Sequence, residues 1–430
     1  MTSSTPNQPR IELIPMHAAL ASNRSATVDV LIRILPPETQ LTPDRPPLNL
    51  GVVIDRSGSM SGLKIEYAKK AACYAVENLL PSDRISLTLF DTRVETSIPN
   101  TLAVDKAKIL TKIREIEVGS STALHAGWVE GGIQVSHYLN PEHINRVVLL
   151  SDGLANVGET RPDAISSDVH GLSQRGISTS TLGVGNDYDE DLLEAMARSG
   201  DGNFYHIESP DQLPTIFENE LMGLSATVGR QVQLWVNTQN GVVLKDVLND
   251  FDTTDTGVYK LPNLVIGSPI NVVVRLQIPA LAQLSELCQF TLTWDEPKQP
   301  ERQYLKTTLQ IPLVNVEQLS DFPANPEVQE QLALLMAARA RKEAIDRADQ
   351  GDLAGASRSL KFAQSTLSAM PMSPAMVSEF DTLSDLTTGF DNGDVASTRK
   401  KALYQRYDLQ RSRAYKRPQS PEVAPPKADS

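Results

Sequence analysis

The sequence predicts a doubly wound α/β domain inserted into an antiparallel β-sandwich and followed by a C-terminal helical region. Three observations carry that expectation. Apolar strand-like runs alternate with helix-like runs from about Leu48 to Leu221, as in a parallel sheet with helices on both faces. Strand-like segments with no helices between them lie on either side of this stretch. From Pro326 the composition turns to Ala, Leu, Glu, Gln and Arg, which favour helix.

Taken in order, Ile11-Glu12-Leu13-Ile14 and the alternating Thr27 to Ile34 read as two strands, ended by Pro36 and Pro37. Two strands make no stable sheet alone. Residues 1–46 are therefore expected to pair with later strands at 228–237, 242–249, 270–278, 287–295 and 303–311, so that residues 225–315 complete the sandwich. Between them, residues 47–224 form the α/β domain. Its strands are expected at 48–55, 84–91, 145–151 and 177–184, with an edge partner from Val94 to Ile98 and a last short strand at Phe204–Ile207. Its helices are expected near 62–80, 104–116, 123–139, 161–174, 188–199 and 210–221, the last with Leu213, Ile216, Phe217 and Leu221 as its buried stripe. The chain should enter and leave this domain at one end, which puts the sandwich beneath it and leaves the loops at the strands' carboxyl ends open.

In residues 326–414 the apolar positions Val328, Leu332, Leu335, Met336, Ala340 and Ala344 mark one face of a helix, and Gly351-Asp352 turns the chain into a second helix from Leu353 to Met370. A third runs from Pro374 to about Phe390. Residues 394–414 read as a basic helix, with Arg399, Lys400, Lys401, Arg406, Arg411 and Arg413 on a solvated face. The Pro-rich polar tail, 415–430, is expected to be disordered.

Length and composition bound the function. A chain of 430 residues is long enough for about three domains, each with a full core. The net charge of -13 argues against nucleic acid as the main ligand, since phosphate binding needs a basic face. No apolar run is long enough for a membrane span, and the polar start, Met1 to Arg10, has no apolar signal core, so a cytoplasmic protein is expected. The two cysteines, Cys73 and Cys288, fall in different domains and fit reduced, buried thiols better than a disulfide framework.

The chemistry lies at strand ends. Asp55-Arg56-Ser57-Gly58-Ser59 follows the apolar run Leu48 to Ile54 and places one carboxylate and two hydroxyls at alternate positions on a tight turn. In parallel α/β sheets the crevice beyond the strands' carboxyl ends binds ligands. Hydroxyl, carboxylate and water oxygens suit magnesium, manganese or calcium. On these five residues alone, a helix start capped by Ser57 or Ser59 explains the pattern as well. Two later segments point to the same sheet edge: Gly119 to Leu124 in a loop before a helical run, and Val147 to Gly153, a second apolar strand ending in Asp152.

With these segments in place, the chain resembles the von Willebrand factor type A (VWA) family, whose metal-ion-dependent adhesion site is written D-x-S-x-S, then a Thr, then an Asp. The resemblance implies Ser57 and Ser59 as direct hydroxyl ligands, Thr122 as a direct or water-mediated ligand, and Asp55 and Asp152 as acids acting largely through bound water. The full layout is similar to bacterial proteins that join this domain to a β-sandwich and, more loosely, to inter-alpha-trypsin inhibitor heavy chains. It implies a divalent-cation-dependent protein-binding module, a scaffold or assembly factor, holding magnesium and taking an Asp or Glu side chain of a protein partner as a further ligand. A metal-dependent hydrolase using the same site is the alternative. Against an enzyme stand six histidines without a metal-ligand pair such as H-E-x-x-H and the lack of a nucleotide loop. His125, close to Thr122, is the one position where a base could reach the site.

Overall fold

The computed structural model describes residues 8–37, 46–296, 299 and 301–411. The 415–430 tail and Arg413 lie outside the described residues.

The α/β domain is built on a six-stranded sheet in the order Val94–Leu102, Arg84–Phe90, Leu48–Asp55, Ile144–Ser151, Ile177–Val184, Phe204–Ile207. The first pair is antiparallel and the remaining pairs are parallel. Every residue of Leu48–Asp55 and of Ile144–Ser151 is buried, as a sheet covered on both faces requires. The helices are α1 (Leu63–Asn78), α2 (Lys106–Arg114), α3 (Leu124–Ser136), α4 (Pro162–Gln174), α5 (Glu190–Ser199) and α6 (Leu213–Ser225). One face of the sheet buries Ile65, Ala68 and Ala72 of α1, Ile109 and Ile113 of α2, and Leu213 and Phe217 of α6. The other buries Trp128 and Val135 of α3, Ile165 and Val169 of α4, and Leu192 and Met196 of α5. Helix α3 lies unusually close to the strands. A Cβ added at Gly131 would lie 2.3 Å from Val53, and one at Gly127 2.6 Å from the Phe90 ring.

Two boundaries differ from expectation for local reasons. The edge strand continues past Pro99 to Leu102, which an edge position tolerates because no inner neighbour needs that amide. The last helix begins with a short 3-10 turn at Pro210–Gln212 and runs on to Ser225, with Pro214 in its first turn, where a missing N–H costs nothing. Its stripe is buried at Leu213, Phe217 and Leu221 and partly buried at Ile216.

Outside this domain two antiparallel sheets form. The first has the order Arg10–Pro15, Ala26–Leu35, Ile270–Ile278, Val243–Val247, so the N-terminal strands pair directly with one that follows the α/β domain, Val30 opposite Val274 and Ile32 opposite Val272. The second follows Tyr259–Lys260, Thr227–Thr238, Cys288–Asp295, Gln303–Leu309, with Leu264–Val265 also on Thr227–Thr238. Val30 and Ile32 of the first share one core with Leu234, Phe290 and Leu292 of the second. A parallel contact of Leu20–Ala21 with Leu313–Val314 escaped sequence reading, as two-residue strands carry no periodicity. Both cysteines are free, and burial pushes the Cys288 thiol up to about 12.

The C-terminal region holds α7 (Pro326–Asp349), α8 (Leu353–Ser368), α9 (Pro374–Asp391) and α10 (Val395–Gln410). Arg339 of α7 makes paired bonds of 2.6 and 2.9 Å to Asp246, tying the helices to the first sheet. Helix α10 corrects the expectation of a solvated basic face. Arg399 bonds Glu190 (2.7 Å), Asp191 (2.9 Å) and Asp349 (2.8 Å), Lys400 pairs with Glu190, and Arg406 reaches Glu194 at 2.7 Å. The acidic first turn of α5 attracts this face, and Tyr404 and Tyr407 close the contact edge-on against Phe204 at 6.1 and 6.0 Å. No described helix is long and apolar enough to cross a membrane.

Tyr407 is buried and donates to the Gly202 carbonyl at 3.0 Å. Tyr407→Ala should cost about 3–5 kcal/mol and expose Phe204, measured as a lowered denaturation midpoint for the α/β domain.

Candidate metal centre

Strand order reverses between Leu48–Asp55 and Ile144–Ser151, which run side by side with Ile54 opposite Leu150. At such a switch point the connections leave in opposite directions and open a crevice at the carboxyl ends. Asp55 ends the first strand and Asp152 directly follows the second, so pairing alone sets the two carboxylates on one rim. Both are fully buried.

The turn after Asp55 is shaped by its own side chain. The Ser57 amide donates to Asp55 Oδ1 at 2.8 Å, and the Ser151 hydroxyl donates to Oδ2 at 2.6 Å. Gly58–Met60 forms one 3-10 turn, anchored by the fully buried Met60, which joins the core that also holds Ile54 and Ile65. The neighbouring loop is pinned by two backbone bonds, Gly119 N–H to Arg56 O at 2.6 Å and Gly58 N–H to Ser120 O at 2.8 Å. Arg56 is held by Asp91 at 3.1 Å and Glu95 at 2.9 Å. Thr122 is placed by Asn156, whose Oδ1 accepts the Thr122 amide at 2.9 Å and whose amide returns a bond to the Thr122 carbonyl at 3.2 Å.

The structure brings all five sequence-singled residues together. Ser57 Oγ lies 3.1 Å from Ser59 Oγ, and the Ser59 hydroxyl donates to Asp152 Oδ1 at 2.7 Å. A Cβ built on Gly153 would sit 3.4 Å from Thr122 Oγ1 and 3.5 Å from Ser59 Oγ, so both hydroxyls face the point that this glycine leaves open. This cradle of three hydroxyls and two carboxylates suits a hard divalent cation. It holds only two carboxylates, in keeping with the finding that no group of three or more His, Cys, Asp or Glu among the described residues could hold a metal.

Charge supports the same fit. Asp55 takes hydrogen bonds from neutral donors, and burial pushes its carboxyl up from 3.8 to about 6, opposed by the Ser151 and Ser57 hydrogen bonds and reinforced by Asp152. Asp152 has a cationic neighbour that sequence reading missed: Lys64 Nζ lies 2.5 Å from its Oδ2. A lysine in the first turn of a helix sits against the macrodipole, a signal that could have marked it. His125 stands apart. Its Nε2 is 3.0 Å from Asp168 of α4 and its ring stacks on Trp128, so it is engaged away from the hydroxyl cradle.

In chelator, the raised Asp55 value makes the folded state bind its proton more tightly than the unfolded chain. The stabilisation is complete below 3.8 and is lost as pH rises through about 6. Asp55→Asn keeps the shape without the charge. It should recover up to about 3 kcal/mol above that range in chelated protein and change little below it, read from denaturation curves at several pH values.

A family model, von Willebrand factor type A domain, matches residues 49–219. The chain is 32% identical over 172 residues to the uncharacterized protein sll0103 of Synechocystis, covering 39% of each. It is 25% identical over 302 residues to the uncharacterized protein YfbK of Escherichia coli, covering 66% of this chain and 51% of that one. The chain thus spans about half or less of the length of these relatives. Among solved structures, the von Willebrand factor type A protein from Catenulispora acidiphila superposes with a TM-score of 0.70 over 95% of this chain and 98% of its own, at 15% identity, a likeness of fold. Residues 49–219 are therefore a von Willebrand factor type A domain, set within a longer chain of strands and helices.

Proposed function

We propose that this protein is a divalent-cation-dependent binding module, a scaffold or assembly factor, whose metal site at Asp55, Ser57, Ser59, Thr122 and Asp152 engages an Asp or Glu side chain of a protein partner. The observation that carries this reading is the convergence of Ser57, Ser59 and Thr122 hydroxyls with two buried carboxylates at the switch point of the sheet. VWA domains often mediate protein interactions or metal-dependent binding. Magnesium, the ion proposed here, would supply an electrophilic position for a partner's carboxylate oxygen. Asp55 and Asp152 balance the charge, while the neutral hydroxyls withdraw little of it. Ser59 and Leu154 are exposed at the rim, which gives a partner access.

The rest of the proposal concerns architecture. Residues 1–46 and 225–315 are read as one β-sandwich that receives the 47–224 domain as an insertion, with 326–414 as a separate helical region. The pairing of Ala26–Leu35 with Ile270–Ile278 supports it. Arg230 of the later strands bonds the carbonyls of Pro141 and His143, at the amino end of Ile144–Ser151 and so opposite the metal rim. A non-enzymatic role is favoured over hydrolysis because His125 is committed to Asp168 and the buried His206 to the Tyr188 hydroxyl, at 2.7 Å. A cytoplasmic location completes the reading.

Magnesium or manganese should stabilise the fold by mass action, by about 2.7 kcal/mol at a hundred times Kd, and so raise the melting temperature. Asp55→Ala should abolish that shift. A partner captured from source lysate should be retained in magnesium and released by chelator. Calorimetry that detects no divalent binding in the wild type or in a charge-relieved variant of the rim would overturn the proposal.

A further inference from the structure

Lys64 is the second residue of α1, where the exposed amides of a helix N-terminus make a positive side chain unfavourable. It is nonetheless directed into the site. Its ammonium lies 2.5 Å from Asp152 Oδ2, and its side chain is 24% exposed while that of Asp152 is 0%. The opposite oxygen of Asp152 takes the Ser59 hydroxyl, a member of the cradle. One carboxylate therefore faces a cation on one side and the metal cradle on the other.

A second acid stands behind the lysine. Asp187 Oδ2 is 3.9 Å from Lys64 Nζ, and this side chain is 78% exposed. The backbone at Gly185, with φ +76°, lies beside the lysine end, where an added Cβ would be 3.6 Å from Lys64 Cε and 3.7 Å from Nζ. Glycine accepts this left-handed backbone without strain, so the turn that carries Asp187 sits in contact with the lysine end. The four-carbon stem of lysine can therefore carry its charge between a buried acid and an exposed one with small torsional changes.

We infer that Lys64 is a tethered cation that neutralises Asp152 in the metal-free site, competes with the divalent ion for it, and transfers to Asp187 when the site is loaded. The inference rests on the metal-site reading above. Without metal, Lys64 spares the protein an unpaired buried carboxylate at Asp152. With a dication beside Asp152, the ammonium is a like charge a few ångströms away and is driven outward, where Asp187 receives it. Lys64 thus sets the affinity of the site as well as its metal-free stability, and cation binding becomes an exchange of one positive charge for two.

The opposing structural role is a lysine that simply holds Asp152 in place for the metal, as an outer hydrogen-bond partner often does. The two roles predict opposite signs. Magnesium and manganese affinities are measured by calorimetry for the full chain, wild type, Lys64→Met, Lys64→Gln and Asp187→Asn, together with melting temperatures in chelator. Competition requires that both lysine variants bind divalent ions at least about tenfold more tightly while melting lower in chelator. It also requires that Asp187→Asn bind them several-fold more weakly, having lost the landing site. Equal or weaker binding by folded Lys64→Met and Lys64→Gln overturns the inference, and an unchanged affinity in Asp187→Asn overturns the transfer. If neither wild type nor the lysine variants bind a divalent ion, the metal-site reading itself has failed. Binding by a lysine variant where the wild type is silent supports the competition in its strongest form.

Discussion

The parallel pairing of Leu48–Asp55 with Ile144–Ser151 is the constraint on which the site depends. These two strands are the buried centre of the sheet, and their register decides where Asp55 and Asp152 fall relative to each other. A slip of one residue would turn apolar side chains such as Val52 and Val148 toward the wrong face. The apolar core therefore fixes the separation of two carboxylates that contribute nothing favourable to it. Asp152 is met by Lys64, but Asp55 is buried among neutral donors and its carboxyl is pushed up accordingly, so the stability of the sheet supports a destabilising charge at its end. Such local cost at a strand end is understandable when a ligand of opposite charge completes the site.

Much of this was legible because it rests on short-range signals. A run of Val, Ile and Leu that stops at Asp-x-Ser-x-Ser states the strand and its polar end, and the six strands of the domain sheet follow from the same alternation of strand-like and helix-like runs. The five cradle positions stand in short local segments that can be read one at a time: Asp55 at a strand end with Ser57 and Ser59 in the turn after it, Asp152 just past a second strand, and Thr122 in the loop before α3. Lys64 was missed because it belongs to α1 by sequence and to the site only by direction of its side chain. Asn156 and Ser151, which orient Thr122 and Asp55, were missed for the related reason that their role is a bond to a segment distant in sequence.

The docking of α10 shows the other limit. A helix bearing Arg399, Lys400 and Arg406 reads as a solvated face when only its own sequence is considered. Its partners Glu190, Asp191 and Glu194 lie more than two hundred residues earlier, on α5. Lys400 is 4% exposed, a burial that a lysine tolerates only when its charge is met, and Glu190 together with the Tyr188 carbonyl meets it. Exposed ion pairs contribute little, but here several share acids and flank an aromatic contact, so the geometry favours a fixed attachment over a loose one. The apolar part of the seam, Phe204 edge-on against Tyr404 and Tyr407, adds burial and aromatic contact to these charges.

These attachments bear on how the metal face can behave. Helix α5 follows the loop that carries Asp187, and α10 grips α5 at its first turn. Helix α6, on the other face, leads at once into Thr227–Thr238 of the second sheet. Any rearrangement of the loop after Ile177–Val184 therefore works against a segment braced within a few residues of it, whereas a movement of α6 must carry the strand that follows. The side chain of Lys64 is under neither restraint. A change of charge at the rim is most cheaply absorbed by the element that can move alone, and a lysine moving between Asp152 and Asp187 meets that condition without disturbing the sheet, the helices or the strands beneath.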